Sequence, residues 1–475
     1  MDNEKTNIHF TNPVKETQDF HVLNYYYMYN GGGVAIADID NDGLQDVYFT
    51  SNQQSNKLYL NKGDFKFEDI TNKASVSDSE GWTTGVNMID INNDGWMDIY
   101  VCKSASLNND LLRRNKLFIN QKNGTFKEEA QKWGIDDDGF SVQSYFFDYD
   151  KDGDLDMYLI NHRADFLNSI NLKTIIEDKA FYPQTSDHLY RNDGSKFTDV
   201  TMSSGIMNKE FSLSASIGDY NNDGWLYVFV ANDFITPDKL YINNKNGTFS
   251  NQIDTQFKHI SYSSMGVAST SSTPRAGSTE QTTSAGSKRP SAGFFTDIAQ
   301  IAGVSKTDWS WAPLIADFDA DGYKDVFVTN GIKREIANQD FGNFLDEKQD
   351  SLQFMPIEKV LSKMPSEKLQ NYAFKNNKDL TFKKVMQEWG LDMAVNSNGV
   401  AYGDLDNDGD LDLVVNNLED EASIYKNNTI NNYINIKLVG DSKNMNAIGS
   451  KVKVALNKIK NCFCLEVINH RFLQY

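Results

Sequence analysis

Short apolar runs separated by tight polar turns recur along the chain in a fixed order. One kind of run reads "GGVAIAD", "TTGVNMID", "QSYFFD", "SASIGD", "APLIAD" and "NGVAYGD", and a second follows each: "DVYFTSN", "DIYVCK", "DMYLINH", "YVFVAND", "DVFVTNG" and "DLVVNN". These runs are brief, rich in Val, Ile, Tyr and Phe, and bounded by Gly, Asn and Asp, which predicts strand, tight loop, strand. A third element comes next ("NKLYLNKG", "NKLFINQKNG", "DHLYRNDG", "DKLYINNKNG", "NYAFKNNK", "SIYKNN"), then a fourth ("FKFEDIT", "GTFKEEA", "SKFTDVT", "GTFSNQI", "FFTDIA", "LTFKKVM"). Four short strands repeated in one order predict an all-β chain folded as a β-propeller of four-stranded blades.

The turn between the first and second runs sets the blade count. It starts at 38, 90, 148, 219, 317 and 404, and the stretch from 219 to 317 has room for one more unit. "SYSSMGVA" (261–268) reads as the first strand of that unit and "GFFTDIAQIAGV" (293–304) as its fourth, so the expectation is seven blades with an incomplete fifth. Residues 268–292 hold no Leu, Ile, Val or aromatic side chain. They cannot bury enough apolar surface to offset ordering, so they read as a flexible linker or as a blade whose inner strands are lost. Residues 333–370 have helical periodicity and are expected as an insertion in blade six. The N-terminal "NIHFTN" resembles a fourth strand without its first three. Residues 8–12 are therefore expected to complete the blade at 399–428 and remove an exposed edge.

The turns themselves are the chemically unusual part. Five read D-x-[DN]-x-[DN]-G-x-x-D: "DIDNDGLQD", "DINNDGWMD", "DYDKDGDLD", "DFDADGYKD" and "DLDNDGDLD". Calcium takes six to eight oxygen ligands, and a tight turn can aim side chains 1, 3, 5 and 9 at one point, with the carbonyl of residue 7 beside them. Glycine at position 6 supplies the positive φ of the turn. The expected ligands are Asp38, Asp40, Asp42 and Asp46; Asp90, Asn92, Asp94 and Asp98; Asp148, Asp150, Asp152 and Asp156; Asp317, Asp319, Asp321 and Asp325; and Asp404, Asp406, Asp408 and Asp412. The position-7 residues are Leu44, Trp96, Asp154, Tyr323 and Asp410, with the side chain of Asp154 expected to point outward. A sixth turn, "DYNNDGWLY", keeps Asp219, Asn221 and Asp223 but has Tyr227 at position 9, and reads as a weak or vestigial site. An EF-hand loop would run to a Glu and join two helices, which these turns do not. Magnesium suits the pattern less well, because it demands octahedral geometry and keeps its waters.

Net charge is −20. That argues against nucleic acid, which needs an excess of Lys and Arg on one face. About five structural Ca2+ ions would halve the formal charge, so much of the acidity is local to the turns. Cys102, Cys462 and Cys464 give neither a disulfide framework nor zinc spacing. The six histidines are scattered without ligand spacing. No apolar run is long enough to span a membrane, and no signal peptide is visible at the start.

At these turns and their flanking strands the chain resembles the FG-GAP/VCBS repeat family, the calcium-loop propeller unit of the integrin α-subunit head, over about residues 30–430. The stretch 431–454, through "INIKLVGDSKN" and "AIGSKV", resembles the start of the ASPIC/UnbV domain that follows such repeats in cartilage acidic protein and many exported bacterial proteins. Residues 1–430 are thus expected as the propeller and 431–475 as a truncated ASPIC/UnbV-like segment. The resemblance implies a secreted, cell-surface or periplasmic protein with a protein or glycan ligand.

The leading functional expectation is a calcium-stabilised extracellular binding or adhesion scaffold. Trp82, Trp133, Trp225, Trp309 and Trp311 are candidate contact residues, with blade packing as their alternative; "NHR" (161–163) and "DWSW" (308–311) are the oddest polar–aromatic clusters. A propeller enzyme acting on glycans is the runner-up, and a purely architectural module the third reading. No Ser–His–Asp or Cys–His arrangement can be nominated, and metal-bound carboxylates make poor general acids.

Overall fold

The computed structural model describes residues 3–164, 183–269, 280–282, 285–288, 295–430, 436, 438–455 and 462–466, apart from 222, 235, 258, 259, 262 and 442. Strand order follows chain order in the first four blades. They are built from Val34–Ala37, Asp46–Phe49, Lys57–Asn61 and Phe67–Asp69; Trp82–Ile89, Asp98–Ser104, Lys116–Asn120 and Phe126–Glu128; Ser141–Phe147, Asp156–Asn161, His188–Asn192 and Phe197–Asp199; and Ser212–Gly218, Tyr227–Asn232, Lys239–Asn243 and Phe249–Asn251. The fifth has Ser310–Ala316, Asp325–Asn330, Tyr372–Asn376 and Phe382–Lys384. In the sixth, Ala394–Gly403, Asp412–Leu418 and Ser423–Tyr425 are joined at the inner edge by Leu369–Gln370.

Why the runs read as continuously apolar is plain from their packing. Along Asp46–Phe49 all four residues are buried, yet Val47 and Phe49 face a core shared with the sixth blade while Tyr48 faces one shared with the second. Successive side chains point to opposite faces, and here both faces press on a neighbour. In the outer strands only the leading phenylalanine (Phe67, Phe126, Phe197) is buried and the next two residues are exposed.

Six blades form, not the seven expected. Where the extra unit was anticipated, the chain makes a small sheet of very short strands, Val267–Ala268, Glu280–Thr282, Ala285–Lys288 and Thr296–Asp297, with no acidic hairpin. Its first strand lies between those of the fourth and fifth blades. A blade needs large apolar side chains on both faces, and 268–292 supplies none. Residues 270–279, 283, 284 and 289–292 of that stretch lie outside the described residues.

Two additions cover the end of the ring opposite the acidic hairpins. Residues 14–30 pack Val14, Val22, Tyr25, Tyr27, Met28 and Tyr29 against Trp82, Phe140, Phe211 and Leu213 of three blades. Helices Gln339–Lys348 and Ile357–Leu361, between the second and third strands of the fifth blade, add Phe341, Ile357, Val360 and Leu361 to the same core. Lys333 ties the two together, donating to the Val14 carbonyl at 2.6 Å and pairing with Glu419 at 2.7 Å. The Ala422 amide donates to the Phe10 carbonyl at 2.9 Å, so the N-terminal segment also touches the sixth blade. After the ring, Lys451–Ala455 pairs antiparallel with Cys462–Glu466. Among the described residues no helix is long and apolar enough to cross a membrane.

Candidate metal centres at the hairpin tips

Each acidic turn is a closed hydrogen-bonded ring before any ion is considered. In the first, the Gly43 amide donates to Asp38 Oδ2 at 2.9 Å, the Asp42 amide to Asp38 Oδ1 and Asp40 Oδ1 at 3.2 Å, and the Leu44 amide to Asp42 Oδ1 at 2.8 Å. The second repeats this with Asp90, Asn92 and Asp94. Glycine at position 6 has φ between 83° and 97° in all six turns. Position 4 is left-handed too, at Asn41, Asn93, Lys151, Ala320 and Asn407. That second positive φ was not legible in the sequence, because only some of these residues are ones that favour it.

Position 9 is the most informative. Asp46, Asp98, Asp156, Asp325 and Asp412 are each 0% exposed. Every one accepts two backbone amides: that of position 2 in its own turn (Ile39, Ile91, Tyr149, Phe318, Leu405) and that of an asparagine closing the third strand (Asn61, Asn120, Asn192, Asn376, Asn427), at 2.8–3.1 Å. Burial nevertheless pushes these carboxyls up, Asp46, Asp98 and Asp412 to about 8, Asp156 to about 9 and Asp325 to about 7. A buried carboxylate stays ionised only when a compensating charge stands near it.

The turns fit such a charge. Ligand oxygens of Asp38, Asp40 and Asp42 lie within 4.8 Å of one another, as do those of Asp148, Asp150 and Asp156, of Asp317, Asp319 and Asp325, and of Asp404, Asp406 and Asp412. The buried Asp406 Oδ1 has no hydrogen-bond partner. All-oxygen donors of high charge on a flexible turn suit a hard divalent cation.

Asp154 does not point outward. It is buried, as is Asp410, the same position of the sixth turn. Lys443 covers Asp154 at 3.9 Å and donates to the Asp152 carbonyl at 2.8 Å, while the Thr429 amide donates to Asp410 Oδ2 at 2.8 Å. Burial and then its neighbour Asp152 push Asp154 up to about 7. Here the chain beyond the ring returns to the hairpin end, with Ile448 packed on the core between the second and third blades.

The fourth turn is closed differently. The Tyr227 hydroxyl donates to Asp223 Oδ2 at 2.9 Å, Asn221 Nδ2 donates to the same oxygen at 2.8 Å, and Lys245 lies 3.1 Å away. Burial works against the charge on Asp223, but these donors hold it down at about 2. A phenol and an ammonium thus do locally what an ion would do in the other turns.

The asparagines that close the third strands have a role their motifs do not announce. Their side chains stitch blades together. Asn61 Nδ2 donates to the Gln45 carbonyl of its own turn and the Leu405 carbonyl of the sixth blade; Asn120 to Met97 and to Ile39 of the first; Asn243 to Tyr149 of the third; Asn427 to Leu411 and to Phe318 of the fifth. Turns also touch directly, through Asn41 Nδ2 on the Gly95 carbonyl at 3.1 Å and Asn407 Nδ2 on Gly43 at 3.0 Å.

The nominated tryptophans are mostly core. Trp82, Trp133 and Trp311 are buried; Trp309 and Trp225 are half-buried, the latter with Lys151 Nζ 4.4 Å above its ring. His162 is buried against Tyr25 (Nε2 to hydroxyl, 3.1 Å), and burial lowers it to about 3. No motif in the sequence points to a cavity of about 330 Å³ between the fifth and sixth blades, where Phe318, Trp389 and Tyr425 meet Asp319, Glu388 and Asn428.

These features define a β-propeller of four-stranded blades, and an FG-GAP-like repeat matches residues 38–101, 105–159, 219–270 and 365–415. Cartilage acidic protein 1 of Xenopus tropicalis is 38% identical over 72 residues, 15% of this chain and 11% of that protein's length. Among solved structures, an Agrocybe aegerita lectin recognising non-reducing terminal N-acetylglucosamine is 13% identical (83% of this chain, 80% of that one, TM-score 0.33). BBS1N in complex with ARL6DN is 8% identical (85% and 96%, TM-score 0.46). The exotype rhamnogalacturonan lyase YesX is 11% identical (82% and 71%, TM-score 0.35).

Proposed function

We propose that the protein is a calcium-stabilised binding scaffold acting outside the cell or at its surface, with a protein or glycan ligand. The observation that carries this reading is the set of four turns whose carboxylate oxygens converge within 4.8 Å, with the fully buried position-9 aspartate itself a member of the cluster in three of them. The holding groups would be Asp38, Asp40, Asp42 and Asp46 with the Leu44 carbonyl; Asp90, Asn92, Asp94 and Asp98 with that of Trp96; Asp148, Asp150, Asp152 and Asp156 with Asp154; Asp317, Asp319, Asp321 and Asp325 with Tyr323; and Asp404, Asp406, Asp408 and Asp412 with Asp410. A bound Ca2+ supplies charge neutralisation and a cross-link between adjacent strands. The residues of the chain do the rest: they pre-form the turn through backbone amides and pass its position to the next blade through the strand-ending asparagines.

In this reading residues 1–430 are the propeller unit and 431–475 an ASPIC/UnbV-like segment. The extracellular setting rests on the repeat class and on the short likeness to cartilage acidic protein 1. The test is calorimetric titration of calcium into chelator-treated protein, with the thermal midpoint followed in parallel. Binding in the range of roughly 10⁻⁴–10⁻³ M, as in extracellular calcium modules, with a rising midpoint is expected; a flat titration and an unmoved midpoint at millimolar calcium would remove the reading.

A further inference from the structure

The five turns with full ligand sets are not equivalent in what else touches them. In the fifth blade Lys375 reaches from the third strand into the turn, bonds the Asp319 carboxylate and lies 3.7 Å from Asp321. In the sixth, Lys426 bonds the Asp406 carboxylate and lies 3.3 Å from Asp408. Each lysine stands immediately before the asparagine that closes its third strand, Asn376 or Asn427. In the first and second blades that place holds Leu60 and Ile119. In the third it holds Arg191, whose Nε goes instead to Asp193 at 2.8 Å.

We propose that Lys375 and Lys426 are tethered counter-ions that divide the five calcium turns into two affinity classes, the turns of blades one to three filling first and those of blades five and six only as calcium displaces a lysine. The inference rests on the calcium reading above. Positions 3 and 5 are the oxygens a cation would take, and in these two turns both already face an ammonium. An entering Ca2+ has to break a charge-assisted hydrogen bond and meet a like charge at close range. Both lysines are partly open to solvent, with side-chain exposures of 38% and 29%, so screening keeps the penalty modest. A separation of about tenfold is expected, the scale of one hydrogen bond to a charged group. Lys122 lies 3.3 Å from Asp94 of the second turn, Lys443 3.6 Å from Asp152 of the third and Lys378 3.1 Å from Asp321 of the fifth, but all three reach position 5 rather than position 3.

The consequence is a ring that stiffens in two stages. The two weaker turns sit side by side, and beyond the small sheet the turn of the fourth blade carries Tyr227 in place of a position-9 carboxylate. One half of the ring is therefore calcium-locked at lower concentration than the other.

The experiment is calcium titration of chelator-treated full-length chain, by calorimetry and by competition with a chromophoric chelator, on the wild type and on the Lys375→Met, Lys426→Met double variant. The wild type should resolve three tighter and two weaker sites; in the variant the weaker pair should move about tenfold toward the tighter set. Five wild-type sites of one affinity would overturn the proposal, as would a variant curve that superimposes on a two-class wild-type curve. The wild-type curve decides even where the variant does not fold. No calcium binding by the wild type would overturn the underlying calcium reading instead, so the two failures are distinct.

Discussion

The side-chain amide of Asn61 donates to the backbone carbonyl of Leu405 at 2.8 Å, across 344 positions of sequence. That bond joins the first blade to the sixth, the one junction in the ring with no peptide continuity between consecutive units. Asn61 also donates to the Gln45 carbonyl at 2.9 Å and accepts the Gly63 amide at 2.9 Å. Substituting Asn61→Ala leaves buried carbonyls unpaired, and a loss of roughly 1–3 kcal/mol in denaturant-induced unfolding is expected. An unchanged midpoint would show that the seam is held by its apolar core alone.

Metal-free protein should weaken as pH rises. The five position-9 carboxyls have folded-state values of about 7 to 9, above the ordinary carboxylate range, so between about pH 4 and pH 8 the native state holds protons that the unfolded state has released. Their contribution is complete below the unfolded value and is lost as pH climbs through the folded one. Thermal midpoints in chelator should fall from pH 5 to pH 8, and saturating calcium should flatten that slope. A chelator profile that rises over the same range would contradict the burial argument.

Tyr227 occupies the position that is a buried aspartate in every other turn. Tyr227→Asp is expected to add one calcium equivalent per chain, counted by atomic emission after gel filtration in calcium. Because Tyr227 is buried and packs edge-on to Tyr220 at 6.3 Å, the variant should be less stable than wild type in chelator and recover in calcium. Tyr227→Phe, which lacks the hydroxyl but adds no carboxylate, should gain no site.

His188 carries a charge in the core of the third blade. Burial works against its protonation, but Asp137 and Asp199 outweigh it and raise it to about 9; Nδ1 lies 3.0 Å from Asp199 and Nε2 2.9 Å from the Pro183 carbonyl. A folded value above the unfolded one means stability present below about pH 6.5 and lost as pH rises through about 9. His188→Gln should therefore cost more stability at pH 6 than at pH 9.5 in urea unfolding. Equal losses at both would mean that the ring is neutral throughout.

Much of this was legible in the sequence because the repeat announces itself where turn chemistry is strict. Position 6 must be left-handed and so is glycine each time; position 9 must accept two amides inside a core, and aspartate does that. The one-turn helices after the outer strands, such as Thr71–Ala74, Ala130–Trp133 and Thr201–Ser204, were not foreseen, since four residues carry too little periodicity to register. The asparagines escaped notice for a related reason: Asn61 and Asn120 look like turn residues, and their real partners lie in another blade. Blade number failed where the rule of equal spacing met the gap from 219 to 317, which has room for another blade but whose residues 268–292 lack the side chains to build one.

Tyr25, Met28 and Tyr29, with the helices of the fifth-blade insertion, stopper one end of the ring. One end of the ring is thus built from apolar side chains and the other from charge, and only the second can answer to the ions in the surrounding solution.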